Sequence, residues 1–296
     1  MPRKNPKILI ADSGSTKTDW AYISEENILT FQTEGLNPYH INREFFDNAM
    51  SVAISNLPSN EKPDIIYFFG AGCSGSQHKT TMETWLKWHF PLAKLYVESD
   101  LYASCYALCN NQPGIVVIWG TGSNVCLFDG TRIVYTPISL GYLLGDEGSG
   151  NHCGKLFLQK FLRNHFSNQL LQDLRNKIPF NKEQIIAQLY NHPHPAKFLG
   201  SFLPYIHPFK NHPEIKSIFF ESWNMFYNEM MKEVTAMTQK PLPVYFNGSV
   251  AYYFQDILNE WIQHKKLILG KIINKPMPEL IEYFKNKYYG KNTGSR

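Results

Sequence analysis

The stretch ILIADSGSTKTDW, residues 8–20, decides how the rest of this 296-residue chain is read. A run of apolar, β-favouring residues ends in Asp12, a Gly/Ser/Thr turn follows, and a second strand-like run begins near Thr18. That is the pattern of a hairpin with a chemically loaded tip. Gly14 lets the backbone approach a ligand closely, Ser13, Ser15, Thr16 and Thr18 offer hydroxyls and N–H groups suited to phosphate oxygens, and Lys17 adds positive charge. Asp12, at the end of a buried strand, is placed to hold a hydrated Mg²⁺. An ordinary tight turn can carry the same letters, so the rest of the chain must decide.

The pattern returns roughly a hundred residues later, which points to an internal duplication. Three strand-like runs at 7–11, 18–24 and 27–33 form a first meander. Residues 114–119 are an apolar strand, Gly120, Thr121, Gly122 and Ser123 a second Gly/Ser/Thr turn, and 125–128 and 133–136 further strands joined by Asp129-Gly130. Between the two copies lie a helix over 42–56 with Phe45, Phe46, Ala49, Met50, Ala53 and Ile54 on one face, a strand at 64–69 and a turn-rich GAGCSGS loop. A helix over 77–90, a strand at 94–97 ending in Glu98, Ser99 and Asp100, and a helix over 101–110 follow. After GYLLGDEGSG at 141–150, helical periodicity covers 151–166, 168–176, 182–190 and 214–238. The Pro- and His-rich 192–213 reads as a stiffened loop, with His192 and His194 as solvated imidazoles rather than metal ligands. PVYFNGSVAYYF at 243–254 is strand, glycine loop and helix, 266–272 a last strand and 278–289 a closing helix.

Composition narrows the class. With 43% hydrophobic residues the chain can bury two cores of ordinary size, so two α/β domains are expected, 1–112 with a closing segment 276–296, and 113–275. The net charge of +4 comes from scattered Lys and Arg, with no basic block, which excludes a nucleic-acid stripe and fits small anionic ligands. Five cysteines without disulfide or zinc spacing read as reduced core thiols, hence a reducing cytoplasm. The basic start MPRKNPK precedes an apolar run too short for a signal peptide or a membrane span, and reads as an exposed tail.

Four glycine-bearing elements stand at strand ends: DSGSTKT, GTGSN, GDEGS and FNGSVA. A Walker P-loop is absent, so a nucleotide must be held by paired turns instead, with Gly248 leaving room for a flat base or ribose and Ser249 beside it. Here the sequence resembles the superfamily of acetate and sugar kinases, heat-shock chaperones and actin. GLNP at 35–38, ESD at 98–100 and GYLLGDEGSG look more narrowly like the N-acetylglucosamine kinase branch of the BadF/BadG-type ATPase family. The resemblance implies two ribonuclease H-like, actin-like ATPase domains around a nucleotide cleft, with ATP and Mg²⁺ as cofactors. It also implies Asp12 at the metal, Ser13 to Lys17 and Gly120 to Ser123 at phosphates, Gly248 and Ser249 near adenosine, and Asp100 as catalytic base. Asn37, Gly141, Asp146 and Glu147, with Asp100, are expected around the sugar. The closing segment departs from that family at Glu279 and Phe284.

Each role has a plainer counterpart. Asp100 suits a base that takes the acceptor proton, and equally a helix N-cap. Asn37 can bond ring hydroxyls or close an Asx-turn before Pro38, and Asp146 and Glu147 can orient a sugar or sit in an exposed acidic turn. The leading expectation is an ATP-dependent kinase for the primary hydroxyl of an N-acetylated amino sugar. A sugar is the expected partner, with room for a homodimer, and with neither nucleic acid nor membrane. The alternative is an activator ATPase that shares an iron–sulfur cluster between subunits, for which Cys153 is the candidate thiolate. A nucleotide-binding sensor without catalysis is the third reading.

Overall fold

The computed structural model describes residues 5–59 and 61–290; residues 1–4 of the expected tail and 291–296 of the expected closing segment lie outside them. Two compact units are present, one running to Asn110 and resuming at Pro276, the other spanning Asn111–Lys275.

In the first unit β1 (Ile8–Ser13), β2 (Lys17–Ile23) and β3 (Ile28–Glu34) form an antiparallel meander. β4 (Ile65–Gly70) and β5 (Lys94–Ser99) join it in parallel, giving the order β3-β2-β1-β4-β5. Parallel neighbours need crossovers, and α1 (Arg43–Ser55), α2 (Ser76–His89) and α3 (Asp100–Cys109) are the helices of this half. Alternation along β1 serves both faces of the sheet. Leu9 and Ala11 pack with Trp20, Phe46, Met50 and Leu86, whereas Ile8 and Ile10 pack with Ala21, Ala103 and the closing helix residues Met277, Leu280 and Phe284. Burial on two faces explains why β1 and β4 read as nearly continuous apolar runs. Asn42 caps α1 by accepting from Phe45 N–H. The buried face of α1 is narrower than its sequence suggested: Phe46, Ala49, Met50 and Ala53 are covered, while Phe45 and Ile54, at the flanks of the stripe, are 36% and 39% exposed.

The second unit repeats the plan. β6 (Gly114–Trp119), β7 (Ser123–Phe128) and β8 (Ile133–Tyr135) are antiparallel, β9 (Pro243–Asn247) and β10 (Ile268–Ile273) run parallel to β6, and the order is β10-β9-β6-β7-β8. The helices are α4 (Gly141–Leu144), α5 (Gly150–Leu162), α6 (Asn168–Lys177), α7 (Lys182–Asn191), α8 (Pro195–Gly200), α9 (Leu203–Ile206), α10 (Pro213–Phe226), α11 (Lys232–Ala236), α12 (Ser249–Tyr253) and α13 (Gln255–Lys265). A π-helical turn, Tyr227–Met231, joins α10 to α11, and α14 (Met277–Tyr289) is the closing helix of the first unit. One core gathers Trp119, Phe157, Trp223, Phe246 and Trp261, with Trp119 stacked on Trp223 at 5.0 Å. The stretch at 192–213 is not the expected loop: α8 and α9 each carry Pro in the first turn, where its missing N–H costs nothing and its φ suits a helix. α13 was not anticipated, although Ile257, Leu258, Trp261 and Ile262 recur at helical spacing and are all buried. All five cysteines are buried, and none is in a disulfide. No described helix is long and apolar enough to cross a membrane.

Candidate active site

In each unit the functional candidates collect where parallel strands end, the edge at which open α/β sheets present ligands. β1, β4 and β5 end together in the first unit, because Ser13 pairs with Gly70 and Gly70 with Ser99. The β1–β2 tip is closed by Gly14 N–H donating to Lys17 O at 3.0 Å, and Gly14, Ser15 and Thr16 are exposed. Ser13 and Thr18 correct the sequence reading, since both hydroxyls turn inward. Leu36 N–H donates to Ser13 Oγ at 3.0 Å, and the Thr18 hydroxyl donates to Glu34 O at 3.0 Å, so Ser13 gives its own proton to Thr18 Oγ1 at 2.8 Å. These buried groups hold the 34–36 chain against the hairpin rather than offering oxygens outward.

Asn37, 7% exposed, is both an Asx-turn and a brace. Its Oδ1 accepts from Tyr39 N–H at 3.1 Å while Nδ2 donates to Ser15 Oγ at 2.9 Å, so the GLNP segment is tied to the tip. Lys17 Nζ lies 3.0 Å from Asp19 Oδ2, an ion pair within the hairpin. Asp19 is a residue the sequence reading passed over. It stands directly opposite Asp12 in the β1–β2 register, which puts two carboxylates on one face of the sheet within about 5 Å between Cβ atoms. Asp100 begins α3, and Ser99 rather than Asp100 occupies the cap position. Burial raises the Asp100 pKa, and the backbone N–H groups of Leu101 and Asp100 pull it back down.

In the second unit the turn after β6 closes with Gly120 N–H donating to Gly122 O at 3.1 Å. Helix α5 is pressed against it, Gly150 N–H donating to Gly120 O at 2.8 Å and Asn151 N–H to Thr121 O at 3.1 Å. Asp146 is not in an exposed acidic turn. It has a left-handed backbone at φ 59° and accepts from Ser123 N–H at 3.3 Å and from Asn151 Nδ2 at 2.8 Å. Burial raises its pKa and those two bonds oppose the rise. Glu147 is half-buried beside it, and Gly141, at φ 68°, opens α4. The loop is anchored from behind. Ser222 Oγ accepts from Gly148 N–H at 2.9 Å and is hydrogen-bonded to His152 Nδ1 at 2.8 Å, and burial lowers the His152 pKa to about 4, so the ring is neutral.

Gly248 corrects a second expectation. At φ 124°, a Cβ there would lie 2.4 Å from Trp119 O and 2.8 Å from Gly120 N, so the missing side chain lets β9 close on the β6 turn and does not make room for a base. The room lies beyond it. A cavity of about 520 Å³ opens between Gly120 and Thr121 of the turn, Ser249 and Tyr253 of α12, and Lys197, Pro204 and His207 of the 195–209 helices. That volume suits a nucleoside-sized ligand. The composition of 192–213 concealed this wall, because Pro and His read as loop when local spacing is ignored. Among the described residues no group of three or more His, Cys, Asp or Glu could hold a metal by itself.

A duplicated sheet of three antiparallel and two parallel strands, with a glycine turn at each strand-end edge, defines the actin-like ATPase fold. A ROK family glucokinase from Streptomyces griseus, solved in complex with glucose and AMPPNP, shares it at TM-score 0.58 and 12% identity, over 94% of this chain and 97% of that one. A candidate N-acetylglucosamine kinase from Chromobacterium violaceum matches at TM-score 0.69 and 16% identity, covering 95% and 99%. Similarity in sequence as well as fold extends to a candidate N-acetylglucosamine kinase from Porphyromonas gingivalis, at 34% identity and TM-score 0.86 over 95% of this chain and 99% of that one. The chain belongs to this N-acetylglucosamine kinase-like family of BadF-type actin-like ATPases. No protein-family model and no curated protein matches the sequence.

Proposed function

We propose that this protein is an ATP-dependent kinase for the primary hydroxyl of an amino sugar, N-acetylglucosamine first. The observation that carries the reading is the nearly end-to-end, 34% identical relationship to the Porphyromonas gingivalis protein. The site chemistry supports it. Exposed Ser15 and Thr16 in one unit, and Thr121 and Gly122 in the other, offer the N–H groups and hydroxyls that phosphate oxygens require, while the N–H groups of Gly14, Gly120 and Ser123 go to Lys17 O, Gly122 O and Asp146 Oδ1 and shape the two turns. The cavity beside Gly120 and Ser249 takes the adenosine. Asp12, facing Asp19, supplies the hard oxygen donors that a hydrated Mg²⁺ prefers, and when bound the ion offsets phosphate charge. Asp100 receives the acceptor proton as the sugar oxygen bonds to phosphorus and the bond to the ADP oxygen breaks. Asn37 in the first unit, and Asp146 with Glu147 and Gly141 in the second, carry the polar groups that sugar hydroxyls would bond.

The iron–sulfur activator reading is disfavoured by Cys153. It is fully buried and burial pushes its thiol up to about 12, so it presents no thiolate to a shared cluster. The test is ADP release measured with ATP, Mg²⁺ and a panel of amino sugars. Sugar-dependent release, greatest with N-acetylglucosamine and giving a 6-phosphate, is expected; ATP hydrolysis indifferent to every sugar would overturn the proposal.

A further inference from the structure

The second residue of helix α5 is an asparagine to which the proposed chemistry gives no part. Asn151 is fully buried, and its Nδ2 donates twice, to Thr121 O at 2.7 Å and to Asp146 Oδ2 at 2.8 Å. Its backbone N–H gives Thr121 O a further donor, and Ser123 N–H reaches the other oxygen of the same carboxylate. Because both partners of Nδ2 are acceptors, the amide can stand only one way round. Its Oδ1 is then left buried without a hydrogen-bond partner, a cost that an apolar residue of similar size would avoid. An asparagine kept at that cost is placed for its two donors.

We propose that Asn151 is a positioning residue that ties the Asp146 carboxylate to the turn at 120–123, so that nucleotide and acceptor binding are coupled through this one amide. The inference rests on the proposed roles of that turn and of Asp146. Asp146 has a backbone conformation that gives a non-glycine residue little intrinsic preference, and each carboxylate oxygen has one protein donor. With one donor on each oxygen, the remaining lone pairs point in fixed directions, as a bidentate grip on neighbouring ring hydroxyls requires. A nucleotide that orders the turn orders Thr121 O and Ser123 N–H, and through Asn151 the carboxylate as well.

The test is a double-mutant cycle of Asn151→Ala and Asp146→Asn, read by acceptor KM and kcat, by ADP affinity in calorimetry without sugar, and by thermal unfolding of every variant. Loss of two buried hydrogen bonds is expected to raise acceptor KM roughly tenfold with a smaller change in kcat, and most of that effect should vanish in the Asp146→Asn background. Asn151→Asp keeps the shape but sets a carboxylate against Asp146 and Thr121 O, so it should cost more than Asn151→Ala; it also serves if the alanine variant does not fold. Additive losses, or an Asn151→Asp protein closer to wild type than Asn151→Ala, would show that Asn151 only fills space. A wild-type protein that phosphorylates no amino sugar defeats the functional reading instead. The ADP cycle then decides alone, coupled losses supporting the tie and additive ones ending it.

Discussion

Two influences compete at Asp100, where burial raises the carboxyl pKa and the backbone N–H groups of Leu101 and Asp100 lower it, with burial the larger. A base must be ionised to accept a proton, so turnover should fall as pH drops through a pKa lying above the ordinary carboxylate range, and that acid limb should disappear with the side chain's charge. Asp100→Asn should lower kcat by about a hundred- to ten-thousand-fold, as removal of a general base typically does, with ADP affinity and thermal stability near wild type. Ser99 holds the cap position without a side-chain bond to the helix, and the amide oxygen of Asn at 100 can still accept from the first N–H groups of α3, so the helix start is preserved. Unimpaired turnover with an unchanged pH profile would put the base elsewhere. At this scale the sequence revealed residue types better than directions. The carboxylates at 12, 100 and 146 stood out, but whether Ser13 points to solvent depends on Leu36, twenty-three positions along, whose N–H turns the hydroxyl inward. Asp19 was passed over because its significance lies in the β1–β2 register, which only the paired strands define.

The helices α5 and α8 show what an element needs beyond its own periodicity. Gly154 faces the backbone of α8, and a Cβ there would lie 2.0 Å from Leu199 O, a main-chain atom with no side-chain freedom to yield. Gly154→Ala must therefore push the two helices apart, at a cost of about 1–3 kcal/mol if the core accommodates it as other overpacked cores do. α8 carries Lys197 and Gly200 of the cavity wall, so ADP affinity should fall along with the melting temperature. Calorimetry and thermal unfolding on the same variant check this, and a protein unchanged in both would mean that α5 and α8 can separate without disturbing the cavity wall. Strands were the legible elements, since β1, β4 and β6 are apolar runs ending in glycine or hydroxyl turns. The short helices α8 and α9 were not. Their start signal is a proline that also signals a loop, and only burial of Phe198, Leu199, Leu203 and Ile206 separates the two.

The chain as a whole is built from one plan used twice, and that was visible early because the two glycine turns follow similar strands. Which helix completes which unit was less visible, since the residues that finish the first core arrive at the far end of the sequence. Met277, Leu280 and Phe284 of α14 pack under Ile8, Ile10 and Ala21, so the first unit cannot close its core until the second has been made. Phe284 is fully buried with its ring centroid 4.2 Å from that of Tyr67. Replacing it with alanine removes a packed aromatic and leaves a cavity, and comparable core truncations cost about 3–5 kcal/mol. The loss should be local to the unit that α14 completes. Hydrogen exchange of Phe284→Ala should quicken at the amides of β1 and β4, which border the emptied site, while β6 and β9 in the second unit keep wild-type protection. Equal acceleration in all four strands would show that the two units unfold as one, and that the core sealed by α14 is not a separate cooperative element.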